Sequence, residues 1–384
     1  MKFFVSAVCL IVYLLLITGC ETYEISDPVE TADGWAVGSF EQVGLSQEPL
    51  KKVLGLIDRG KYGDVHSLLL VKDGLLVIEE YFPGYTWVYD AENFRGPYTE
   101  FDGDTPHTIM SVTKAFTSAV AGIAIDQGYI EGEHEKVFDF FPDYQGLRTR
   151  EKEAITVEHL LTMSSGLQWN EWEYPLSDTR NDLIRLWIVD DPVVYILSKP
   201  LVNGPGSSWY YSGGDVILLS EIIQQATGQR FDQYASEQLF EPLGITDYEW
   251  DFVDEDTVHA SGDLMLRPRD MAKLGYLLLN DGRWQGEQIL SQSWVEKTMG
   301  VYINTPTPNQ GHSYGYQWWH MTFDSEAGPV WALHRSGWGG QEMYLFPELD
   351  MLVAMTGGYY EEEPPSNEIV ANYIIPAVQE LMVS

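Results

Sequence analysis

The sequence predicts an α+β fold in which one antiparallel sheet is built from both ends of the chain. A helix and a strand pair come first, helical patterns dominate residues 111–245, and strand patterns return after residue 314 before a last helix. We therefore expect a mixed α/β part, whose sheet is flanked by N- and C-terminal helices, and a separate all-helical part between the two strand-rich ends.

The first elements follow residue 46. Apolar residues at helical spacing, closed by Gly60, indicate a helix: Leu50, Val53, Leu54 and Ile57. Apolar runs at 67–71 and 75–78 then flank Lys72-Asp73-Gly74, which is typical of a β-hairpin.

The later elements change from helical to strand patterns. Helices are predicted over 157–163 and 216–226, the second ending at Gly228. Successive short strands are predicted over 314–320, 330–334, 343–346 and 352–356, and a final apolar helix over 368–381. No internal repeat interrupts this order.

Composition excludes several classes of function. The 384 residues carry 22 Lys and Arg against 58 Asp and Glu, a net charge of −36. Such a polyanion gains no counterion release on nucleic acid and is repelled by an anionic bilayer surface, so we expect neither as a partner of the folded domain. Hydrophobic residues make up 45% of the chain, which excludes a disordered protein.

The N-terminus has the pattern of an export signal. Lys2 is followed by an uncharged apolar run over residues 3–17, too short for a comfortable transmembrane helix. The run ends at Ile17-Thr18-Gly19-Cys20, which resembles the lipobox of bacterial lipoproteins. We expect Cys20 to carry lipid and to anchor an exported protein to a membrane facing the periplasm or the cell exterior. An ordinary secretory signal or an uncleaved anchor, with an incidental cysteine, is the alternative.

The predicted domain organisation follows from these patterns. Residues 1–19 form the signal peptide, and residues 20–45, acidic and poor in apolar side chains, form a tether. Residues 46–384 form the folded domain, with its α/β part at 46–110 and 265–384 and its helical part at 111–264. Both cysteines, Cys9 and Cys20, precede the domain, which excludes a disulfide framework within it.

Ser111-Val112-Thr113-Lys114 is a Ser-x-x-Lys pattern, and its context gives it meaning. Lys114 is the only formally charged residue between Asp104 and Asp126, in a helix otherwise made of small and apolar residues. Burial favours the neutral amine, which can accept a proton from a serine three residues away on the same helix face. The pair predicts a nucleophile, Ser111, and its base, Lys114. A helix-capping serine and a lysine that extends to solvent are the alternative.

Tyr211 lies in a turn bounded by Gly206 and Gly214, directly before a predicted helix. Such a tyrosine can direct its hydroxyl into a cleft and pass a proton from the serine to a leaving group. The alternative is an aromatic corner that packs the turn.

Arg335 is the only Lys or Arg after Lys297, in a region rich in acids. It stands in the segment 333–341, Leu-His-Arg-Ser-Gly-Trp-Gly-Gly-Gln, whose glycines permit close backbone approach. A lone cation there suits contact with an anionic group, and a surface arginine paired with a nearby acid is the alternative.

These three elements together resemble the serine beta-lactamase and penicillin-binding-protein superfamily, in its class C-like branch of family VIII esterases, D-amino-acid peptidases and nylon-oligomer hydrolases. The resemblance runs from about Ser46 to the C-terminus. It includes the stretch from Ile155 to Leu167, and the stretch Ala260-Ser261-Gly262-Asp263-Leu264 followed by residues 267–275. The implied fold is beta-lactamase/transpeptidase-like, with the site in the cleft between the two parts.

The resemblance assigns roles to individual residues. Ser111 is the acylated nucleophile, Lys114 its partner in proton transfer, and Tyr211 the tyrosine of a Tyr-x-Asn element. Arg335-Ser336-Gly337 stands where lactamases have Lys-Thr-Gly, which puts the backbone N–H groups of Ser111 and Trp338 in the oxyanion hole. If the register slips by one residue, His334 replaces Arg335.

Two departures from the family pattern bear on the substrate. Gly213 takes the third position of the tyrosine element, so the amide that helps lactamases to hold their substrate is absent. Arg335 replaces lysine, and Gly339-Gly340-Gln341 resembles the Gly-Gly-Gln of the nylon-oligomer hydrolase and esterase branch. Efficient beta-lactam hydrolysis is therefore not expected.

The implied reaction is acyl transfer from a small ester or amide to Ser111 and then to water. No cofactor is required, and the eight histidines lack ligand spacing, so no metal site is predicted. Trp169, Trp172 and Tyr174 are candidates for an aromatic pocket wall, with plain core packing as the alternative. A peptidoglycan-related D-amino-acid peptidase or weak beta-lactamase, and a non-catalytic binding protein, are the competing hypotheses for the whole domain.

Overall fold

A computed structural model describes residues 23–306 and 311–379. The predicted signal peptide, residues 1–19, and the predicted lipidation site, Cys20, lie outside the described residues. Across the described ranges, no helix is both long enough and apolar enough to cross a bilayer.

Fifteen strands are present in the described ranges. In chain order they are β1 (Val65–Lys72), β2 (Leu75–Tyr81), β3 (Gly84–Trp87), β4 (Arg95–Thr99), β5 (His107–Thr108), β6 (Glu249–Trp250), β7 (Leu264–Leu266), β8 (Arg283–Trp284), β9 (Glu287–Gln288), β10 (Ile303–Asn304), β11 (Ser313–Gly315), β12 (Trp318–Phe323), β13 (Val330–Gly337), β14 (Gln341–Phe346) and β15 (Met351–Gly357).

Twelve α-helices accompany these strands in the same ranges. They are α1 (Phe40–Val43), α2 (Gln47–Asp58), α3 (Thr113–Asp126), α4 (Val157–Leu161), α5 (Asp182–Arg185), α6 (Pro192–Ser198), α7 (Gly213–Thr227), α8 (Phe231–Ala235), α9 (Pro268–Leu279), α10 (Gln292–Thr298), α11 (Ser366–Ile369) and α12 (Ile375–Gln379).

One eight-stranded sheet organises the molecule. Its order is β10-β11-β12-β13-β14-β15-β1-β2, and every neighbouring pair is antiparallel. The first two and the last six strands of this sheet come from opposite ends of the chain, with helices α3 to α10 between them. The predicted α+β fold, with a sheet built from both chain ends, is confirmed.

The sheet separates two hydrophobic cores because side chains alternate between its faces. Leu68 and Leu70 of β1 pack in the core that contains α2 and the C-terminal helices. Leu69 and Val71 of the same strand belong to the core shared with the helical part. The helical part is thereby fixed against one face of the sheet.

The predicted first helix and first hairpin correspond to α2 and to β1–β2. Asp73 and Gly74 form the hairpin turn in the left-handed region, at φ 51° and 76°. The predicted helix at 216–226 is α7, which ends at Gly228 with φ 68°.

Two predicted elements differ in the structure. The strand predicted over 314–320 is a tight hairpin, β11–β12, because Tyr316 and Gln317 turn with φ 42° and 72°. The single helix predicted over 368–381 is divided into three parts: α11, a π-helical turn over Val370–Ile374, and α12. Its predicted end lies outside the described residues.

The segment predicted as a tether packs on the domain from Tyr23 onward. Trp35 is buried, with its ring 5.4 Å from that of Tyr276 and 5.1 Å from that of Trp284, and its Nε1 donates to the carbonyl of Arg269. The Arg269 guanidinium also binds this segment, because it donates to Asp33 and to the carbonyl of Val29. The buried tryptophan and the Arg269 guanidinium together hold a segment whose composition is otherwise polar.

Replacing Trp35 with alanine tests this packing. We expect Trp35→Ala to lower the free energy of unfolding by about 3–5 kcal/mol, because a large buried ring leaves a cavity. Val29→Ala is the control, since Val29 lies in the same segment but its side chain is 67% exposed. Urea unfolding measures both, and equal stability of the two variants would show that residues 23–45 do act as a loose tether.

Candidate active site

The turn that carries Ser111 joins β5 to α3. Met110, just before the serine, has φ 48°, a left-handed conformation that is rare for a methionine. The end of β13 approaches this turn closely, because a Cβ on Gly337 would lie only 2.5 Å from the carbonyl oxygen of Ile109. Glycine is therefore required at 337 to bring the Gly337–Trp338 backbone against the serine turn.

Lys114 lies directly behind the serine. Its Nζ is 2.8 Å from Ser111 Oγ and 2.5 Å from the carbonyl oxygen of Ser261, and the residue is 2% exposed. Every residue of α3 from Thr113 to Ala124 is buried, which agrees with the apolar pattern of this helix. The structure thus brings together the serine and the lysine that the sequence proposes as nucleophile and base.

Tyr211 is buried on the other side of Lys114, whose Nζ lies 4.9 Å from the centre of its ring. The turn holding Tyr211 precedes α7, whose N-cap Ser212 accepts from the backbone N–H of Asp215. Aromatic rings surround it, with Trp319 stacked at 6.5 Å. Its hydroxyl oxygen accepts a bond of 3.4 Å from Arg335, which leaves the tyrosine proton free to be donated elsewhere.

Arg335 is fully buried beneath the serine. In the described structure its guanidinium makes five hydrogen bonds to four acceptors: Nε and Nη2 donate to the carbonyl of Ser111, Nη1 donates to Tyr314 Oη and to the carbonyl of Gln317, and Nη2 also donates to Tyr211 Oη. We expected an anionic ligand group as its partner. The guanidinium instead supports the nucleophile turn from within the protein.

His334 points to the opposite face of the sheet. Its Nε2 lies 2.6 Å from Glu342, and the hydroxyl of Ser336 donates to the same carboxylate. Neighbouring strand residues face opposite sides, so Arg335 and Gly337 face the serine while His334 and Ser336 face away. Of the two register alternatives, the structure places Arg335 at the candidate site.

Trp338 follows at the end of β13. Its half-buried indole packs 4.8 Å from the ring of Phe94 and 5.1 Å from that of Tyr360, and Nε1 donates to the carbonyl of Tyr360. These contacts with Phe94 and Tyr360 hold the Trp338 side chain in place.

The three aromatic pocket candidates have different positions. Trp172 is 65% exposed and its ring lies 5.5 Å from that of Tyr211, at the edge of the site. Trp169 is buried against Gly214, since a Cβ added to Gly214 would lie only 2.7 Å from the Trp169 ring. Tyr174 is covered by Arg180 at 4.1 Å. Of the three, only Trp172 contacts a catalytic candidate in the structure described.

Glu171 was not singled out from the sequence. Its Oε2 accepts from the backbone N–H of Gly213 at 2.8 Å and from Trp169 Nε1 at 2.6 Å. A Cβ on Gly213 would meet this oxygen at 2.8 Å and Ser261 Oγ at 3.1 Å. The Glu171 carboxylate and the Ser261 hydroxyl thus occupy the space beside residue 213. In the sequence, the only indication of this contact is the glycine at the third position of the tyrosine element.

Asp215 is completely buried below the Tyr211 turn. Ser165 Oγ donates to its Oδ1 at 2.7 Å, while Oδ2 has no hydrogen-bond partner in the described structure. Burial raises the pKa of this carboxyl to about 7, although the bond from Ser165 acts in the opposite direction. The group therefore holds its proton well above the pH at which an exposed aspartate loses it.

The chain belongs to the beta-lactamase family, whose model matches residues 66–368. It is 26% identical over 278 residues to a 6-aminohexanoate-dimer hydrolase of Paenarthrobacter ureafaciens, an alignment covering 68% of each chain. Members of this superfamily are hydrolases, among them esterases, amidases and peptidases.

Solved structures share the fold. A Bacillus anthracis protein described as a candidate 6-aminohexanoate-dimer hydrolase matches with TM-score 0.70 and 21% identity, covering 94% of this chain and 92% of its own. A family VIII carboxylesterase matches with TM-score 0.65 and 16% identity, covering 91% and 99%. At these identities the likeness establishes the beta-lactamase/transpeptidase-like fold, and the function has to be argued from the site.

The titration of Asp215 predicts a pH dependence of stability. Between pH 3.8 and about 7 the native carboxyl keeps a proton that the unfolded chain has lost, so the free energy of unfolding falls as the pH rises through this window. The slope is at most about 1.4 kcal/mol per pH unit. We expect Asp215→Asn to lack this contribution.

Urea unfolding of the wild type and the variant from pH 4 to 8 measures the effect. The stability difference between them should change up to about pH 7 and then stay constant. The exposed Asp90→Asn is the control and should follow the wild type. Parallel curves for the wild type and Asp215→Asn would contradict the raised pKa.

Proposed function

We propose that this protein is a serine hydrolase that cleaves a small ester or amide through an acyl-enzyme on Ser111. The observation that supports the proposal best is the 2.8 Å contact between Lys114 Nζ and Ser111 Oγ in a buried site beside Tyr211. A nucleophile, a base within hydrogen-bond distance and a nearby proton donor are the minimum for such chemistry.

In the first step Ser111 attacks the carbonyl carbon of the substrate. With a neutral amine, the contact to Lys114 runs from the serine O–H to Nζ, so the serine proton passes to the lysine as the new C–O bond forms. The backbone N–H groups of Ser111 and Trp338 then donate to the oxyanion. The resemblance assigns this hole, and the close approach of Gly337 to the serine turn supports it.

Tyr211 is the proposed donor to the leaving group. Its hydroxyl accepts from Arg335, so its own proton can pass to the departing alcohol or amine and be replaced from Lys114. Water then attacks the ester carbonyl of the acyl-enzyme, and the same groups act in reverse, releasing the acid and restoring Ser111.

The site favours simple esters or amides over beta-lactams. The amide of a Tyr-x-Asn element is absent, and Glu171 occupies the space beside Gly213. The donors of Arg335 already face acceptors of the protein, so this cation is not free to bind a substrate carboxylate. We propose substrates of the size of an aminohexanoate dimer, following the named relative.

Labelling with a fluorophosphonate tests the nucleophile. We expect the wild type to gain one adduct in intact-mass spectra and Ser111→Ala to gain none, because the probe reacts with an activated serine. Ser118→Ala, a buried serine on the same helix that bonds the carbonyl of Tyr316, is the control and should still be labelled. An unlabelled wild type contradicts the proposal.

Substrate choice distinguishes the related enzyme functions. Short-chain nitrophenyl esters and aminohexanoate oligomers should be hydrolysed at least about tenfold faster than a chromogenic cephalosporin or a D-Ala-D-Ala peptide, since the lactamase amide is missing. Faster turnover of the peptide would assign the protein to the D-amino-acid peptidases. Labelling without any turnover would favour a binding protein on the same fold.

We also propose export and membrane anchoring through a lipid on Cys20, on the sequence pattern alone. In a bacterial host, Cys20→Ser should leave the membrane fraction and lack the acyl mass found on the wild type. Cys9→Ser, the matched change at the other cysteine, should remain anchored. Anchoring of both variants would favour an uncleaved hydrophobic segment.

A further inference from the structure

A second hydrogen-bonded network lies behind Lys114, on the segment from His259 to Asp263. His259 Nδ1 is 2.7 Å from Asp263 Oδ2, and His259 Nε2 is 3.1 Å from Ser261 Oγ. The carbonyl of Ser261 accepts from Lys114 Nζ. The aspartate, the histidine and the serine thus form one chain of contacts that ends at the proposed base.

The segment is firmly attached to the helix that carries Lys114. Thr117 Oγ1 donates to the carbonyl of Ala260 at 2.7 Å, next to the bond from Lys114 to the following carbonyl. Trp250 Nε1 donates to the carbonyls of His259 and Gly262. Bonds from both sides hold the segment in one conformation, so the Ser261 carbonyl has a fixed direction.

The histidine ring is confined by its surroundings. Trp187 meets it edge-on at 4.6 Å, and a Cβ on Gly262 would lie 2.8 Å from its Cε1, so only glycine leaves room for the ring. Asp263 adopts φ 56°, which an aspartate tolerates better than most residues and which orients its carboxylate toward the ring. A strained residue beside a confined histidine indicates a specific role.

The charges around this network can be named. Burial opposes ionisation of Asp263, but the charge and hydrogen bond of His259, together with the charge of Lys114, hold the pKa of this carboxyl below its usual value. Burial, followed by the charges of Asp263 and Glu249, raises the pKa of the nearby Asp251 carboxyl, and the charge of His259 acts in the opposite direction. Because electrostatic coupling is reciprocal, the Asp263 carboxylate stabilises the Lys114 ammonium equally.

We propose that Asp263, His259 and Ser261 are positioning residues for Lys114, and this inference rests on the proposed function. Through His259 and the Ser261 segment, Asp263 fixes the carbonyl that orients the amine. Its negative charge also stabilises the ammonium that forms when Ser111 gives up its proton. The network serves the lysine as a buried aspartate serves the histidine of a catalytic triad.

The same distances would also suit a second nucleophile, Ser261, with His259 as its base. Ser261 is only 2% exposed, however, and its carbonyl rather than its hydroxyl contacts the active-site lysine. The positioning role is therefore favoured. Fluorophosphonate treatment of Ser111→Ala separates the two roles, because a new adduct on Ser261 would overturn the positioning role.

Asp263→Asn is the principal test, since asparagine accepts the left-handed conformation and removes only the charge. We expect kcat on a nitrophenyl ester to fall about tenfold with little change in KM, because the ammonium forms only as the reaction proceeds. The rise of activity with pH should move to lower pH, since the carboxylate that stabilises the ammonium is removed. An unchanged pH profile would overturn the inference.

Asp73→Asn is the matched control, with φ 51° at Asp73 in the β1–β2 turn and the same change of charge. It should keep the wild-type profile. If Asp263→Asn does not fold, Ser261→Ala serves instead. That variant removes the partner of His259 Nε2, keeps the carbonyl, and should lower kcat about threefold.

A direct measurement separates this inference from the proposed function. The pH response of the Lys114 resonance, observed in protein labelled with 13Cε-lysine and assigned by its loss in Lys114→Arg, should move to lower pH in Asp263→Asn, because the carboxylate that stabilises the ammonium is removed. An unshifted titration overturns the network whatever the activity. A wild type without Ser111-dependent hydrolysis, but with the shifted titration, would overturn the proposed function and leave the network in place.

Discussion

The buried charge of Arg335 is the constraint around which the site is arranged. A guanidinium removed from water costs several kcal/mol unless its donors meet acceptors, so the segments that supply those acceptors have to stay together. They are the serine turn, through the carbonyl of Ser111, the β11–β12 hairpin, through Tyr314 and Gln317, and the turn before α7, through Tyr211. One side chain thus fixes the nucleophile relative to the sheet, and a change that removes one acceptor leaves a buried N–H group of this cation without a partner.

Close backbone approach is the second requirement of the site. Glycine at 337 lets the last residue of β13 touch the serine turn, and glycine at 213 lets a carboxylate lie against the start of α7. The first contact brings together two segments that could form an oxyanion hole. The second narrows the cleft on the side of Tyr211. Both contacts are possible because glycine has no side chain, so each glycine matters through the space that it leaves open and not through a functional group.

The site residues that could be predicted are those whose context is local. Lys114 can be predicted from the sequence because the residues that mark it, the apolar helix around a single charge, are its neighbours in the chain. Arg335 was found by its isolation, but its partners were not, since Tyr314 and Gln317 lie 21 and 18 residues earlier, on a turn inside what the sequence presents as one strand.

The remaining features depend on distant packing. Trp35 stands in a polar segment, and its ring partners, Tyr276 and Trp284, follow more than two hundred residues later, so composition alone favoured a tether. His259 and Asp263 lay in a stretch that resembles the family. Their contact, however, arises from a left-handed residue that no hydrophobic period indicates.

The pairing of β1 with β15 determines when the protein can fold. Leu69 of β1 lies opposite Ala354 of β15, so this strand, the first of the sheet to be synthesised, gains its second neighbour only when nearly the whole chain has been made. Until then one edge of the early hairpin exposes unpaired backbone groups, which invite association with other chains. Contacts of such large sequence separation also make closure of the sheet slow. The late closure gives a chaperone time to bind the unfolded chain, and it makes newly synthesised chains more prone to aggregate than the folded protein.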